Sequence, residues 1–575
     1  MRPELTNVLG LRLSVRRSRL LLALIILCFL VLVARALYLQ CFENPYKTAE
    51  QPWLAYTEML RANRGKITDR RGVPLAISTS VKTVCASPRD VILSASDHQK
   101  LSYLLQIQPV LLTKRLSQKN KGCVYLKRQI SPDKAKAISA LGVPGISFEN
   151  EYKRYYPKGE VTAHIVGLTD IDEIGQEGIE LEYHDWLSGK PGKRFVYRDR
   201  ENNPIDEDPD KLFLPQKGHD LPLSIDLRLQ SFAFREIKKA VIENDAKSGS
   251  VVVLDAQSGE ILALVNWPSY NPNNRKTYRP STARNLAVVD IFEPGSTLKP
   301  FNAAAAIEAG YVTPNTSINI GNGRLKVGNK EITDTHPKKT DLTVSEIIKV
   351  SSNVGSAQIA LKMPSEELWR MFSLVGFGKS PESGFPGEAK GRLRKFSTWK
   401  TIEKATMSFG HGISVSLIQL ARAYTIFTTG GRLLPITFVK RDALPEGRAV
   451  MSLKTSKAVG KMLEEVIEDG GTGTKARVLG YRVAGKTGTA HKLLDGAYLK
   501  HSYYSSFVGF APVSKPKLIV AVVVDDPRGG HYFGGTVAAP VFSQIIGNSL
   551  RLLDVPGDKK EKTLTADRQS PSAEG

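Results

Sequence analysis

An unbroken apolar segment near the N-terminus is the first pattern in the chain. Residues 20–34 are all apolar, and the apolar run resumes after Arg35 with residues 36–39. Because Arg35 and Tyr38 can extend toward a membrane surface, residues 20–39 supply about the twenty positions that a membrane-spanning helix requires. The pattern therefore predicts one transmembrane helix.

The charges before this segment indicate its orientation. Residues 1–19 carry five arginines and a single acidic residue, Glu4. A basic flank stays in the cytoplasm, so we expect most of the chain to lie on the other side of the membrane. A cleaved signal peptide is the alternative, although Arg35 makes residues 34–36 a poor cleavage site.

Alternating apolar runs near both ends of the C-terminal half predict a sheet. Residues 250–255 and 260–265 flank a short polar turn, which is typical of a hairpin, and residues 505–511 and 517–524 repeat that pattern. Residues 481–484 are expected to form a strand that leads into Lys486. We infer one antiparallel sheet built from both ends of this region, with a helical middle beside it.

Composition shifts divide the chain of 575 residues. A stretch rich in proline, aspartate and glycine at residues 203–218 marks a boundary, after which Asp226 can cap a helix whose apolar residues form one stripe. The fold class is α/β (α+β). We expect the following parts: a cytoplasmic segment at 1–19, a membrane anchor at 20–40, a mixed α/β domain at 41–217, a domain at 218–555 with the antiparallel sheet, and a polar, disordered tail at 556–575.

Charge and cysteine content narrow the possible functions. The formal charge of +23 would suit nucleic acid, an anionic surface or an acidic polymer, but no nucleic-acid motif is present, and a solvated basic surface explains it equally well. No spacing of cysteine and histidine predicts a metal, and no cofactor motif is found. Cys85 and Cys123 both lie in β-like runs, where two packed thiols are the simpler expectation and a disulfide is the alternative.

The strongest chemical signal is the segment at residues 293–300, which precedes an alanine-rich, helix-forming run. Pro300 fits a helix only within its first turn, so the helix should begin near Ser296. Lys299 lies three positions later on the same face, where its amine can lie against the serine hydroxyl. A serine beside a lysine amine is a nucleophile beside a base.

Two further elements follow in order, and together they make the pattern specific. They are Ser351-Ser352-Asn353 and Lys486-Thr487-Gly488-Thr489. The set matches the signature of penicillin-binding proteins and serine β-lactamases. The serine–lysine spacing alone is weak, because the chain repeats it by chance at Ser131, Ser397 and Ser514, and residues 317–319 repeat the second element.

The chain resembles the class B penicillin-binding proteins, and most closely their division-specific branch. The resemblance extends from the anchor to about residue 555, over segments at 64–76, 154–167, 292–301, 351–355, 408–412, 484–490 and 532–535. It implies a non-catalytic, dimerisation-type pedestal next to the membrane and a penicillin-binding transpeptidase domain above it. The implied substrates are peptidoglycan stem peptides ending in D-Ala-D-Ala.

The resemblance also implies roles for the matched residues. Ser296 would form an acyl-enzyme with Lys299 as base, Ser351 would relay a proton and Asn353 would bind a substrate amide. A second group would hold the substrate: Lys486, Thr487 and Thr489 its terminal carboxylate, and Gly488 its acyl chain along the strand. The oxyanion hole would come from the N–H groups of Ser296 and Thr489.

The resemblance further implies partners and leaves alternatives. β-Lactams should inhibit the enzyme, and its partners would be a membrane glycosyltransferase, small bitopic division proteins and the inner membrane, with no nucleic acid. The alternatives are the elongation-specific branch and a non-catalytic β-lactam sensor or division scaffold. A nucleotide-binding P-loop is formally possible at residues 480–487, but Gly488 interrupts the helix that a P-loop requires.

The charge asymmetry generates a topology prediction. A reporter enzyme that works only in the periplasm should be active when fused after Val555, because the basic flank holds the N-terminus in the cytoplasm. The same reporter fused before residue 15 should be inactive. Recovery of a mature protein that starts just after Ala36 would contradict an uncleaved anchor.

Overall fold

The computed structural model describes residues 15–41, 55–198, 204–207, 209–335, 339–494 and 496–559. The first 14 residues of the expected cytoplasmic segment and residues 560–575 of the expected tail lie outside them. Two compact units are present, one from Met1–Arg61 and Pro191–Pro215 and the other from Ala62–Lys190 and Gln216–Gly575.

Helices and strands alternate along the described residues. The helices are α1 Val15–Cys41, α2 Ala95–Leu105, α3 Pro109–Leu116, α4 Pro132–Ser139, α5 Ala163–Val166, α6 Gly178–Glu182, α7 His184–Ser188, α8 Leu227–Glu243, α9 Pro280–Ala283, α10 Leu286–Val289, α11 Lys299–Glu308, α12 Val344–Val350, α13 Asn353–Leu361, α14 Ser365–Leu374, α15 Thr401–Met407, α16 Leu417–Ala423, α17 Thr425–Thr428, α18 Leu453–Glu465 and α19 Gly534–Leu552. The strands are β1 Ala55–Leu60, β2 Ile67–Thr68, β3 Pro74–Ala86, β4 Val124–Ile130, β5 Ile146–Tyr155, β6 Gly192–Arg198, β7 Pro204–Glu207, β8 Leu221–Pro222, β9 Ser248–Asp255, β10 Ile261–Trp267, β11 Ser317–Asn319, β12 Arg324–Val327, β13 Lys330–Thr333, β14 Asp341–Thr343, β15 Arg432–Leu433, β16 Arg448–Ala449, β17 Ala484–Leu494, β18 Ala497–Ala511 and β19 Leu518–Asp525.

The first unit contains the N-terminal helix and a small sheet. Helix α1 has a mean hydropathy of 3.0 over its most apolar window, and it is the one helix of the described residues that is long and apolar enough to cross a membrane. The predicted apolar helix is therefore confirmed. Strands β1, β6 and β7 form a three-stranded antiparallel sheet in that order.

The central sheet of the second unit has the predicted composition. Its five strands lie in the order β10-β9-β19-β18-β17, and every neighbouring pair is antiparallel. Both predicted hairpins and the union of distant chain segments are confirmed. The strand before Lys486 begins at Ala484, later than expected, because Tyr481 instead makes an isolated bridge with Val478.

Helices cover this sheet and bury its apolar side chains. Helix α8 starts at the predicted place, where the Asp226 side chain accepts a hydrogen bond from the Arg228 amide, and its apolar stripe packs on β10. Helix α19 packs on β18 and β19. The predicted mixed α/β class with a central antiparallel sheet flanked by helices is thus confirmed.

The N-terminal part of the second unit forms another sheet, in the order β4-β3-β2-β8, with β5 paired to β3. Cys85 in β3 and Cys123, which directly precedes β4, are bonded as a disulfide, with their Cα atoms 5.8 Å apart. The expectation of two packed thiols was wrong. The cysteines are distant in sequence, and the bond arises because the pairing of β3 with β4 brings them together.

A fully buried ion cluster stabilises this region. The Glu180 carboxylate accepts hydrogen bonds from Arg64 Nε at 2.7 Å and from Arg154 Nε at 2.6 Å. The exposed side-chain fractions are 0% for Glu180, 1% for Arg64 and 2% for Arg154. One carboxylate therefore pairs with two guanidinium groups that water does not reach.

Removal of that carboxylate should destabilise the fold. We expect Glu180→Gln to lower the free energy of unfolding by about 3 kcal/mol, because two buried cations lose their counter-charge. The control Glu243→Gln breaks an exposed pair with Lys239 and should change it by less than about 1 kcal/mol. Urea unfolding of the purified proteins measures both, and equal small changes would contradict the burial argument.

Candidate active site

Ser296 lies in a helical turn at the start of α11. Residues Gly295–Leu298 form a 3-10 turn that leads directly into the helix, with Pro300 in its first turn as the sequence predicted. Ser296 is partly exposed, whereas Thr297 is buried and its carbonyl accepts a hydrogen bond of 3.0 Å from the Tyr424 hydroxyl. The turn is therefore anchored from the core, while the nucleophilic oxygen stays accessible.

The Lys299 side chain is fully buried and joins α11 to the next motif. Its Nζ donates to the Ser351 carbonyl at 2.5 Å, to Ser351 Oγ at 3.2 Å and to Asn353 Oδ1 at 2.8 Å. Within the described residues none of its hydrogen bonds goes to Ser296 Oγ, which is where the helical spacing placed the amine. The lysine thus connects the residues of the two motifs directly.

Burial sets the charge of this lysine. It lowers the pKa of Lys299 from 10.5 to about 7, and the Asp334 carboxylate opposes that shift. Burial disfavours the ammonium form because the protein interior solvates charge poorly. A large fraction of Lys299 is consequently neutral near pH 7, as a general base requires.

The turn at Ser351 to Asn353 is held by an aspartate that sequence reasoning missed. Ser351 has a φ of 63°, which is unusual for a residue other than glycine and follows from its place between α12 and α13. Asp334 accepts hydrogen bonds from Ser352 Oγ at 2.6 Å and from the Asn353 amide at 2.5 Å. No motif around Asp334 indicated this contact, since it depends on the loop after β13.

The third motif lies on β17, the edge strand of the central sheet. Lys486 is fully buried, and its Nζ lies 3.3 Å from Thr487 Oγ1. Burial lowers its pKa well below the ordinary range, and the positive charge of Lys299 lowers it further. Two fully buried lysine amines thus share one site, and burial is the largest cause of the lowered pKa of each.

Gly488 allows this strand to approach the nucleophile turn. A Cβ atom there would lie 2.3 Å from Ser506 Oγ, 2.8 Å from Thr297 Cγ2 and 2.9 Å from the Pro294 carbonyl oxygen. No larger residue fits. The next residue, Thr489, is partly exposed, and its hydroxyl accepts a hydrogen bond from the Gly534 amide at 3.0 Å.

Glu293 is the acidic residue nearest in sequence to Ser296. It is buried, and its carboxylate accepts hydrogen bonds from the Gly412 amide at 2.8 Å and from the Tyr498 hydroxyl at 3.0 Å. Burial raises its pKa, while those two bonds oppose the shift. Its contacts hold the hairpin of β17 and β18 and the glycine-flanked loop at residues 410–412 beside the nucleophile turn.

The chance repeats of the motifs lie elsewhere in the fold. Ser131 caps α4, Lys517 pairs with Asp255, and residues 317–319 form β11. The P-loop alternative fails as expected, because Lys486 and Thr487 lie within a strand. Among the described residues, Ser296, Lys299, Ser351 and Asn353 together with the β17 residues combine a partly exposed hydroxyl with buried amines, which is an arrangement suited to acyl transfer.

Comparison with known proteins agrees with this geometry. The family "Penicillin binding protein transpeptidase domain" matches residues 249–547, and "Penicillin-binding Protein dimerisation domain" matches residues 59–223. A probable peptidoglycan D,D-transpeptidase PenA from Neisseria gonorrhoeae is 42% identical over 555 residues, covering 96% of this chain and 94% of the relative. Peptidoglycan D,D-transpeptidase FtsI from Escherichia coli is 39% identical over 561 residues, covering 95% and 94%.

A solved structure supports the fold of the second half. The apo structure of the TP domain of penicillin-binding protein 3 from Burkholderia pseudomallei is 44% identical, with a TM-score of 0.55, and the match covers 59% of this chain and 98% of that domain. The chain therefore belongs to the penicillin-binding protein transpeptidase family, and its dimerisation domain makes it a class B member. Its enzymatic class is serine-type D,D-transpeptidase.

The lowered pKa of Lys299 predicts the pH dependence of acylation. Below pH 7 the amine is mostly protonated, so the acylation rate constant should rise about ten-fold per pH unit and level off above pH 8. Stopped-flow measurement with a fluorescent penicillin between pH 5.5 and 10 checks this. A rate that keeps rising to pH 10 would indicate a lysine with an ordinary pKa.

Proposed function

We propose that this enzyme cross-links peptidoglycan stem peptides during septal wall synthesis, through an acyl-enzyme on Ser296. The observation that carries the proposal is the contact of the buried Lys299 amine with both Ser351 and Asn353, one helical turn from the partly exposed Ser296. The family assignment supports the reaction, and the likeness to FtsI supports the septal role.

In the acylation step, Ser296 Oγ attacks the carbonyl between the two D-alanines. Neutral Lys299 takes up the serine proton. Because no hydrogen bond of Lys299 among the described residues goes to Ser296, the Ser351 hydroxyl relays the proton between them. The C–N bond then breaks, the proton passes through Ser351 to the departing nitrogen, and D-Ala leaves. The product is an ester between the stem peptide and Ser296.

Substrate recognition falls to the remaining motif residues. The Asn353 side chain binds a backbone amide of the stem peptide, and Lys486, Thr487 and Thr489 hold the terminal carboxylate by charge-assisted hydrogen bonds. The tightness at Gly488 supports a role in seating β17 against the turn of Ser296, in addition to leaving room for the acyl chain. The N–H groups of Ser296 and Thr489 stabilise the oxyanion.

In the second step, the amine of a neighbouring stem attacks the ester. The C–O bond to Ser296 breaks, an amide cross-link forms, and a proton from the attacking amine returns to the serine oxygen by way of Lys299. Lys299 therefore ends each cycle in its starting state. Its neutral form is needed once to accept the proton of Ser296 and once to accept a proton from the attacking amine.

β-Lactams should inhibit this enzyme covalently. They present a strained amide to Ser296, and release requires an activated water, for which class A β-lactamases use a glutamate. Glu293 already accepts hydrogen bonds from Gly412 and Tyr498. These contacts support the proposal that Glu293 does not activate such a water. The ester should then persist.

Mass spectrometry of the full-length enzyme with penicillin tests the nucleophile. One adduct should form on the peptide that contains Ser296, should last for many minutes, and should be absent in Ser296→Ala. Ser131→Ala removes a serine with the same lysine spacing and should retain the adduct. Rapid hydrolysis of penicillin, or an adduct on Ser131, Ser397 or Ser514, would overturn the assignment.

Localisation and turnover separate the remaining alternatives. The N-terminus would lie in the cytoplasm and the catalytic domain in the periplasm, with α1 in the inner membrane beside a glycosyltransferase and bitopic division proteins. A fluorescent fusion should gather at mid-cell, whereas a diffuse lateral pattern would favour the elongation-specific role. Stem-peptide cross-linking by the purified enzyme would exclude a sensor or scaffold without activity.

A further inference from the structure

A cavity lies in the second unit, apart from the catalytic residues. Its volume is about 680 Å³, within the range of ligand-binding cavities, and none of Ser296, Lys299, Ser351, Asn353 or residues 486–489 lines it. One wall comes from α5, α6 and the loop between them, and the other from residues 270–289 and 385–387. Apolar side chains form much of the lining, among them Leu181, Val289 and Phe385.

One carboxylate faces this cavity without a cation beside it. Glu177 Oε2 accepts a hydrogen bond of 3.3 Å from the Tyr270 hydroxyl, and Glu177 Oε1 accepts a short one from the Tyr278 hydroxyl. Among the described residues no lysine, arginine or histidine forms an ion pair with it. Burial and the Glu177 charge raise the pKa of both tyrosines, that of Tyr278 to about 12, so both donors are neutral.

The other polar groups that line the cavity do not pair with the Glu177 carboxylate. His164 is buried with its Nε2 2.8 Å from the Thr282 carbonyl oxygen, and burial lowers its pKa to about 4, so it is uncharged at neutral pH. Arg284 is exposed and pairs with Asp290. The inner part of the cavity therefore presents the Glu177 carboxylate with no cation paired to it among the described residues.

Aromatic rings surround the carboxylate at steep angles. The rings of Tyr270 and Tyr278 have centroids 5.7 Å apart and planes at 89°, and His164 lies against Tyr270 at 5.7 Å and 80°. Electron-rich ring faces attract cations, and perpendicular rings near a carboxylate form the type of cage that binds an ammonium group.

The backbone fixes Glu177 in this position. Gly167 has a φ of 78°, and a Cβ atom there would lie 1.9 Å from the Glu177 carbonyl oxygen. The two loop segments are thus interlocked, and the hydroxyls of Tyr270 and Tyr278 hold the carboxylate in place. A pre-organised site binds without the cost of ordering a loop.

We propose that this cavity binds a short peptide through a primary ammonium group on an alkyl side chain, with the ammonium between Glu177, Tyr270 and Tyr278. The apolar lining accommodates the alkyl chain, and the cage accommodates the charge. A diamino acid of a peptidoglycan stem peptide has this chemistry, and that choice of ligand source rests on the proposed function. The site would be separate from the one that acylates Ser296.

A pair of matched probes tests the ammonium requirement. Nα-acetyl-L-lysyl-D-alanine carries the amine and lacks a D-Ala-D-Ala bond, whereas Nα-acetyl-L-norleucyl-D-alanine has the alkyl chain without the amine. Calorimetry with the full-length enzyme, acylated by penicillin at Ser296, should show saturable binding of the lysyl peptide. The norleucyl peptide should bind with an affinity lower by about ten-fold or more. Equal binding of the two probes, or none of the lysyl peptide, would overturn the proposal.

Variants then assign the binding to the cavity. Glu177→Gln should lower the affinity for the lysyl peptide about ten-fold, because the carboxylate charge is lost while the shape of the side chain remains. Glu182→Gln removes the same charge from an exposed position on α6 that does not line the cavity, and it should have no effect. Unchanged affinity in Glu177→Gln would contradict the site.

The readouts also keep this inference apart from the catalytic assignment. Penicillin labelling of Ser296 should be the same in Glu177→Gln as in the parent enzyme, which shows that the variant is folded. If penicillin labels no serine but binding of the lysyl peptide to the untreated enzyme still requires Glu177, the catalytic proposal fails and the ammonium site stands. If Glu177→Gln does not fold, the affinities of the parent enzyme for the lysyl and norleucyl peptides still test whether the site requires an ammonium group.

Discussion

Two lysine amines buried in one site are the constraint on which the catalytic arrangement depends. An ammonium group in a protein interior loses much of its hydration, so burial lowers the pKa of both Lys299 and Lys486, and the charge of Lys299 lowers that of Lys486 further. The Asp334 carboxylate raises the pKa of Lys299, which opposes the effect of burial and leaves that pKa at about 7. The balance gives a lysine that can take up and return a proton near pH 7, which a solvent-exposed lysine cannot do.

The fold supplies this burial by joining distant parts of the chain. The central sheet takes β9 and β10 from the start of the transpeptidase domain and β17 to β19 from its end, so the edge strand with Lys486 lies beside the turn of Ser296. Helices α11 and α13 enclose the Lys299 amine from the other side. The contacts at Gly488 leave no room for a side chain between strand and turn, and both amines are fully buried.

Local pattern and motif predicted what depends on local sequence. The turn before Pro300, the hairpins of the central sheet and the apolar helix α1 follow from periodicity and proline chemistry. The acceptors of Lys299, the support from Asp334 and the bond between Cys85 and Cys123 could not be predicted, because each depends on how distant segments pack. Helical spacing pointed the amine at Ser296, whereas the tertiary fold places its acceptors at Ser351 and at Asn353, the first residue of α13.

The ionisation of Lys299 tests this account most directly. NMR of the enzyme labelled at lysine Cε with carbon-13 reports the protonation of each amine through its chemical shift, and the resonance lost in Lys299→Met assigns the residue. The account predicts that this resonance titrates near pH 7, well below the ordinary lysine value of 10.5. A Lys299 resonance that remains in the ammonium form up to pH 10 would contradict it.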